Sequence, residues 1–173
     1  MSALLYNLSL GIIRGIYAIA SIAHPKARAF RLGRSNQKTR LRETFPLPTG
    51  AAPLVWFHCA SLGEFEQGRP VMESLKAALP DVKILLTFFS PSGYEVRKNY
   101  PLADHIFYLP WDTPANADWF ARQVRPALAV FVKYEFWFYY SRALKQHHIP
   151  LISISAIFRP SHVYFKPLGS VFR

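Results

Sequence analysis

The sequence predicts an α/β fold: a Rossmann-like parallel sheet with helices on both faces, preceded by an N-terminal membrane-anchor helix. Three observations carry that expectation. From Pro53 onward, short apolar runs alternate with stretches of helical periodicity. Hydroxyl residues, Gly and Pro stand at the junctions, where helices start. Residues 3–23 form one apolar run about long enough to cross a bilayer.

The apolar run comes first along the chain. Asn7, Arg14 and Ser21 recur at every seventh position and share one helix face, while Leu4, Leu8, Ile12, Ile16 and Ile19 supply apolar neighbours elsewhere. Two placements fit, a helix lying in the interface with Arg14 snorkelling and a helix that spans at some cost. The monotopic or tilted anchor is the preferred one. A cleaved leader fits less well, because the basic residues follow the apolar run and no small-x-small site is clean. Those basic residues are Lys26, Arg28, Arg31, Arg34, Lys38, Arg40 and Arg42, with no acid before Glu43. Such a flank marks the cytoplasmic side of an anchor and attracts anionic head groups. The expected organisation is therefore an anchor helix over 1–24, a basic linker over 25–52, and a Rossmann-like domain over 53–173.

Within that domain Leu54 to Phe57 reads as a buried strand, and Phe65, Val71, Met72, Leu75 and Leu79 give the helix after it. Val82 to Thr87 is the second strand, Ser92 to Asn99 a short helix, and His105 to Leu109 the third strand. Thr113-Pro114 is an N-cap followed by a first-turn proline, opening a helix to about Val124. Ala127 to Val132, Phe136 to His147 and Pro150 to Ser155 complete a strand–helix–strand series. Such alternation predicts a parallel sheet, whose ligands sit outside the carboxyl ends of the strands.

The net charge of +11 calls for a partner of opposite sign, and 51% apolar residues with 16% aromatics are enough for a core. An anionic membrane surface is the expected partner. Nucleic acid is not, because the basic residues gather beside an apolar helix and not on a face with stacking aromatics. Cys59 is the only cysteine, so no internal disulfide forms. No Walker loop, GxGxxG, paired cysteines or HExxH occurs. The expectation is no cofactor and no metal. His58, at a strand end, reads as structural.

The strand ends hold the candidate chemistry. Glu64, after Ser61 and Gly63, falls in the first turn of a helix, where the positive end favours a charged carboxylate. A charged carboxylate beside a crevice suits a general base, and a capping role is the competing reading. Ser90, Ser92 and Gly93 offer hydroxyls and backbone N–H groups to a phosphate or to sugar hydroxyls, or simply cap a helix. Lys133 and Glu135 follow the fourth strand; a Glu135 close to Glu64 would titrate with it as a pair. Arg69 and Arg159 fit either a bidentate phosphate contact or an ordinary surface arginine. Asp112 fits a structural cap better than a ligand contact.

Ser61-Leu62-Gly63-Glu64, Thr87 to Gly93, Tyr108 to Asp112, Lys133-Tyr134-Glu135-Phe136-Trp137 and Ser155 to Arg159 together resemble, in that order, the motifs of the 3-deoxy-D-manno-octulosonic acid (Kdo) transferases. Phe88 and Phe89 depart from the family's hydroxyl-rich loop. The resemblance implies the N-terminal half of a GT-B glycosyltransferase that handles the acceptor, a lipid A precursor. The donor CMP-Kdo is held mainly by a C-terminal half, which is expected to be absent here. It implies a metal-free, inverting transfer at the cytoplasmic face of the inner membrane. Glu64 takes the acceptor proton, Glu135 orients the base or the hydroxyl, and Ser61, Gly63, Arg69, Ser90, Ser92, Gly93, Lys133 and Arg159 bind substrate. The chain alone is expected to show little or no transfer. The alternatives are a non-catalytic module that binds anionic lipid, and a GT-B enzyme with another sugar-nucleotide donor.

Overall fold

The computed structural model describes residues 3–46, 52–133 and 137–157. The chain divides into two compact units, Met1–Leu32 with Ile157–Arg173, and Gly33–Ala156.

In the first unit, α1 (Ala3–Ala23) and α2 (Pro25–Leu32) pack on each other. Tyr17 stacks on Phe30 with ring centroids 4.0 Å apart. Arg28 donates from Nη2 to the Ile22 carbonyl at 2.8 Å and from Nε to the Ser21 carbonyl at 3.4 Å. Those carbonyls end α1 and have no helical donor, so a guanidinium there satisfies them and complements the negative helix end. Leu4, Leu8, Ile12, Ile16 and Ile19 are each more than half exposed, from 56% to 75%. An apolar face of that extent suits a non-aqueous surface.

The second unit is a five-stranded parallel sheet in the order β3-β2-β1-β4-β5. The strands are β1 (Leu54–Cys59), β2 (Lys83–Phe88), β3 (His105–Tyr108), β4 (Leu128–Val132) and β5 (Leu151–Ile154). The helices are α3 (Gln37–Thr44), α4 (Leu62–Ala78), α5 (Pro91–Arg97), α6 (Pro114–Val124) and α7 (Phe138–Gln146). The parallel α/β architecture and most element positions are as the sequence predicts. Thr113 caps α6 as expected, its hydroxyl accepting from the Asn116 N–H, with Pro114 in the first turn. The segment 25–52 contains α2 and α3, two helices whose short length and basic composition hide any apolar stripe.

Alternate residues of each strand face opposite ways. Val55, Phe57, Cys59, Ile84, Leu86, Phe88, Val130 and Val132 join Phe65 and Met72 of α4 in one apolar core. Helix α4 lies close to the sheet, since a Cβ on Gly68 would come within 2.9 Å of Val132 Cγ2. The other set is aromatic and partly polar. Trp56 packs on Phe120 of α6 at 4.7 Å and on Tyr140 of α7 at 5.7 Å between centroids. Its indole N–H donates to Thr87 Oγ1 at 2.8 Å, and that oxygen lies 2.9 Å from His58 Nδ1. Burial, with the nearby Arg34 charge assisting against the Thr87 hydrogen bond, lowers the His58 pKa to about 3. His58 is thus a neutral core residue.

The strand order reverses beside β1. β2 and β3 continue to one side, and the chain then crosses to place β4 and β5 on the other. The crevice at such a switch point, outside the carboxyl ends of β1 and β4, is where this architecture receives ligands.

Candidate functional site

Glu64 stands at that crevice. β1 ends at Cys59, Ser61 takes an extended conformation as the N-cap of α4, and Glu64 lies in the first turn. The spacing is that of a capping box, but the bond made is between side chains. The Ser61 hydroxyl donates to Glu64 Oε2 at 2.7 Å. Ser61 and Glu64 are both half-buried, and Gly63 beside them is exposed. Ser61 is the one hydrogen-bond partner of Glu64 among the described residues.

The loop after β2 is tied to this turn. The Ser90 N–H donates to the Ala60 carbonyl at 2.7 Å, bringing Ser90 to the same rim as Ser61 and Glu64. Ser90 caps α5, its Oγ accepting from the Ser92 N–H at 3.2 Å, and the two hydroxyl oxygens are 3.0 Å apart. Gly93 is required there, because a Cβ would collide with the Phe88 ring. Phe88 itself is core, which explains an aromatic residue in an otherwise hydroxyl-bearing loop. Lys133 follows β4 in the left-handed region at φ 67°, with its N–H donating to the Ile154 carbonyl at 2.8 Å. Arg69 lies farther along α4 and pairs with Glu66 and Glu73 at 3.4 and 3.7 Å, away from the first turn that carries Glu64. Glu135 and Arg159 lie outside the described residues.

The rim also contains groups that no motif announces. Arg34 precedes α3 and donates to the Phe89 carbonyl at 2.6 Å and to the Leu109 carbonyl at 3.3 Å, joining the ends of β2 and β3. Its guanidinium lies 4.7 Å from the Tyr108 ring centroid and 4.8 Å from that of Phe89. Phe89 packs in turn on Trp111 at 5.5 Å and on Trp137 at 4.7 Å. The result is an aromatic shelf over the sheet end, held together by the Arg34 guanidinium lying against its rings. Asp112, fully buried, accepts from the Tyr139 N–H at 3.1 Å and the Tyr140 N–H at 2.9 Å. It therefore caps α7 and holds the chain next to Trp137 against the shelf.

A cavity of about 450 Å³ is at the opposite end of the sheet, with Phe45, Pro53, Lys83, His105 and Arg125 in its wall. Its walls come from the starts of strands, whereas the Glu64 turn and the loop after β2 that is bonded to it lie at the carboxyl end, where this architecture receives ligands.

The family model described as 3-deoxy-D-manno-octulosonic-acid transferase matches residues 29–172. Among curated relatives, the 3-deoxy-D-manno-octulosonic acid transferase of Haemophilus influenzae is 31% identical over 70% of this chain and 28% of its own length. That of Chlamydia muridarum is 30% identical over 63% of this chain and 26% of its length. That of Aquifex aeolicus is 36% identical over 48% of this chain and 23% of its length. This chain thus spans well under half the length of the relatives it matches. Among solved structures, a UDP-N-acetylglucosamine 2-epimerase superposes with a TM-score of 0.50 at 16% identity, covering 70% of this chain and 38% of the other, a likeness of fold. With the match running from α2 through all five strands, the chain belongs to the 3-deoxy-D-manno-octulosonic-acid transferase family.

Proposed function

We propose that this chain is the acceptor-handling, N-terminal half of a GT-B transferase that moves Kdo from CMP-Kdo to a lipid A precursor, with Glu64 as general base. The observation that carries this reading is the Glu64 carboxylate in the first turn of α4, partly accessible at the switch-point crevice and fixed by one hydroxyl. The base withdraws the proton from an acceptor hydroxyl as that oxygen attacks the anomeric carbon. The bond to CMP breaks on the opposite face, so the configuration inverts. Ser61 orients the carboxylate, and the helix end stabilises its charge before the reaction. Ser90, Ser92 and Gly93 are proposed to hold acceptor hydroxyls, and Lys133 and Arg159 its anionic groups. Glu135 is proposed to orient the base. Arg69, already paired on α4, is the weakest member of this set.

The exposed apolar face of α1 and the basic residues beside it support attachment to an anionic membrane, at the cytoplasmic face of the inner membrane. The same two features favour the second reading, a lipid-binding module without catalysis, which requires neither Glu64 nor Ser61. The reading is tested in a full-length transferase that carries this chain as its N-terminal half. Glu64→Ala is expected to reduce Kdo transfer by about 10²–10⁴-fold, the usual contribution of a positioned base. Transfer within a few-fold of the parent would end the assignment of Glu64.

A further inference from the structure

The peptide group between Phe89 and Ser90 is gripped at both of its polar ends. Its N–H, on Ser90, donates to the Ala60 carbonyl at 2.7 Å. Its carbonyl oxygen, on Phe89, accepts from Arg34 Nη2 at 2.6 Å. A peptide group is planar and turns as one piece. Fixing both ends therefore fixes how the loop after β2 sits against the loop after β1. Ala60 is followed by Ser61, whose hydroxyl donates to Glu64 Oε2 at 2.7 Å. A continuous path thus runs from the Arg34 guanidinium, through the Phe89–Ser90 peptide and the Ala60 carbonyl, to the turn that carries Glu64. Hydrogen bonds in such a row polarise and strengthen one another.

The guanidinium is itself held firmly. Its Nε donates to the Leu109 carbonyl at 3.3 Å, and the Leu109 N–H returns to the Phe88 carbonyl at 2.7 Å. The Phe89 and Leu109 carbonyls lie just past the ends of β2 and β3, where the ladder has stopped and an oxygen needs another donor. The Tyr108 and Phe89 rings, at 4.7 and 4.8 Å, confine the guanidinium between them. Arginine suits this place because its donors form a rigid planar fork that also packs on rings; lysine carries the charge without the fork or the plane. We propose that Arg34 is a positioning residue for the transfer reaction: it locks the Phe89–Ser90 peptide against Ala60 and so holds the Ser61–Glu64 turn in register, without itself touching substrate. The inference rests on the reading of Glu64 as the base. A carboxylate misplaced by about 1 Å is enough to cost on the order of 10²-fold in rate.

The test is made in a full-length transferase that carries this chain as its N-terminal half. Arg34→Lys should lower kcat for Kdo transfer about tenfold or more, and saturating acceptor should not restore it. Arg34→Gln should lose as much, because charge alone does not replace the fork. Added to Glu64→Ala, Arg34→Lys should cost less than about a further twofold, since residues that act as a unit are not additive. A kcat within about twofold of the parent, a loss confined to KM, or losses that multiply with Glu64→Ala would each overturn the proposal. The structural half is read separately, by amide hydrogen exchange of this chain in an uncharged detergent. Arg34→Lys should speed exchange at Ser90 at least about tenfold relative to Leu86, which is buried in β2. The ratio cancels any general loss of stability, and an unchanged ratio would overturn the proposal. A harmless Glu64→Ala with Ser90 loosened by Arg34→Lys ends the reading of the base and leaves Arg34 as the lock on the rim. A severe Glu64→Ala with a silent Arg34→Lys keeps the base and ends the role of Arg34.

Discussion

Asp104 and Glu64 occupy opposite ends of one sheet and are held in opposite ways. At the amino end, the Asp104 carboxylate accepts from the Ile84 N–H, Lys76 and Lys83, each at 2.9 Å. Burial works to raise its pKa, and the three donors overcome that and hold it at about 2. At the carboxyl end, Glu64 has a single hydroxyl donor among the described residues. A carboxylate whose lone pairs are filled contributes to stability and has little left for chemistry. One held by a single neutral donor is positioned but available. The difference favours the proposed site at the carboxyl end, although a cavity of about 450 Å³ lies at the amino end, with Lys83 in its wall.

Substitutions can break this comparison, and the largest expected effect is at the joint behind the shelf. Asp112→Ala leaves the Tyr139 and Tyr140 N–H groups without their buried acceptor and should cost about 3 kcal/mol in urea unfolding. A loss under about 1 kcal/mol would mean that α7 does not depend on this cap. Acidification probes the buried face next. The His58 pKa is lowered in the folded chain, so the unfolded chain takes up a proton near pH 6.5 that the folded chain refuses until about pH 3. Stability is therefore full above pH 6.5 and falls through that window. The loss is up to about 1.4 kcal/mol per pH unit, or about 2 kcal/mol between pH 6.5 and 5. His58→Gln should remove most of that slope, and an unchanged slope would assign it to other groups. The smallest effect sharpens the contrast itself. Asp104→Asn should cost about 1 kcal/mol at pH 7 and leave transfer by a full-length enzyme unaltered. The Asp104 pKa is lowered in the folded chain, so its contribution is present above about pH 4 and disappears as pH falls through about 2.

Much of this architecture is legible in the sequence because burial on both sheet faces leaves uninterrupted apolar runs. Ile84-Leu85-Leu86 and Ala129 to Val132 are too short for helices and too apolar for loops. Thr113-Pro114 fixes the start of α6 from local chemistry alone. The Glu64 turn is legible for the same reason, as a strand end followed by a helix start. Arg34 is not, because its two carbonyl partners belong to loops after β2 and β3 that only the fold brings together. The basic run is also read incompletely from charge. Arg34, Lys38, Arg40 and Arg42 lie over aromatic rings of the sheet unit, with Lys38 and Arg42 on Trp119 and Arg40 on Phe107. Part of that charge therefore serves packing, a use that depends on tertiary neighbours and leaves no spacing in the sequence.

The proposed role of Glu64 requires a side chain kept for chemistry that contributes little to stability. The most direct measurement is Glu64→Gln in a full-length transferase, with Kdo transfer and the urea midpoint read on the same preparation. Transfer is expected to fall by about 10²-fold or more with the midpoint unmoved. Full transfer, or a midpoint that falls in step with activity, would contradict that role.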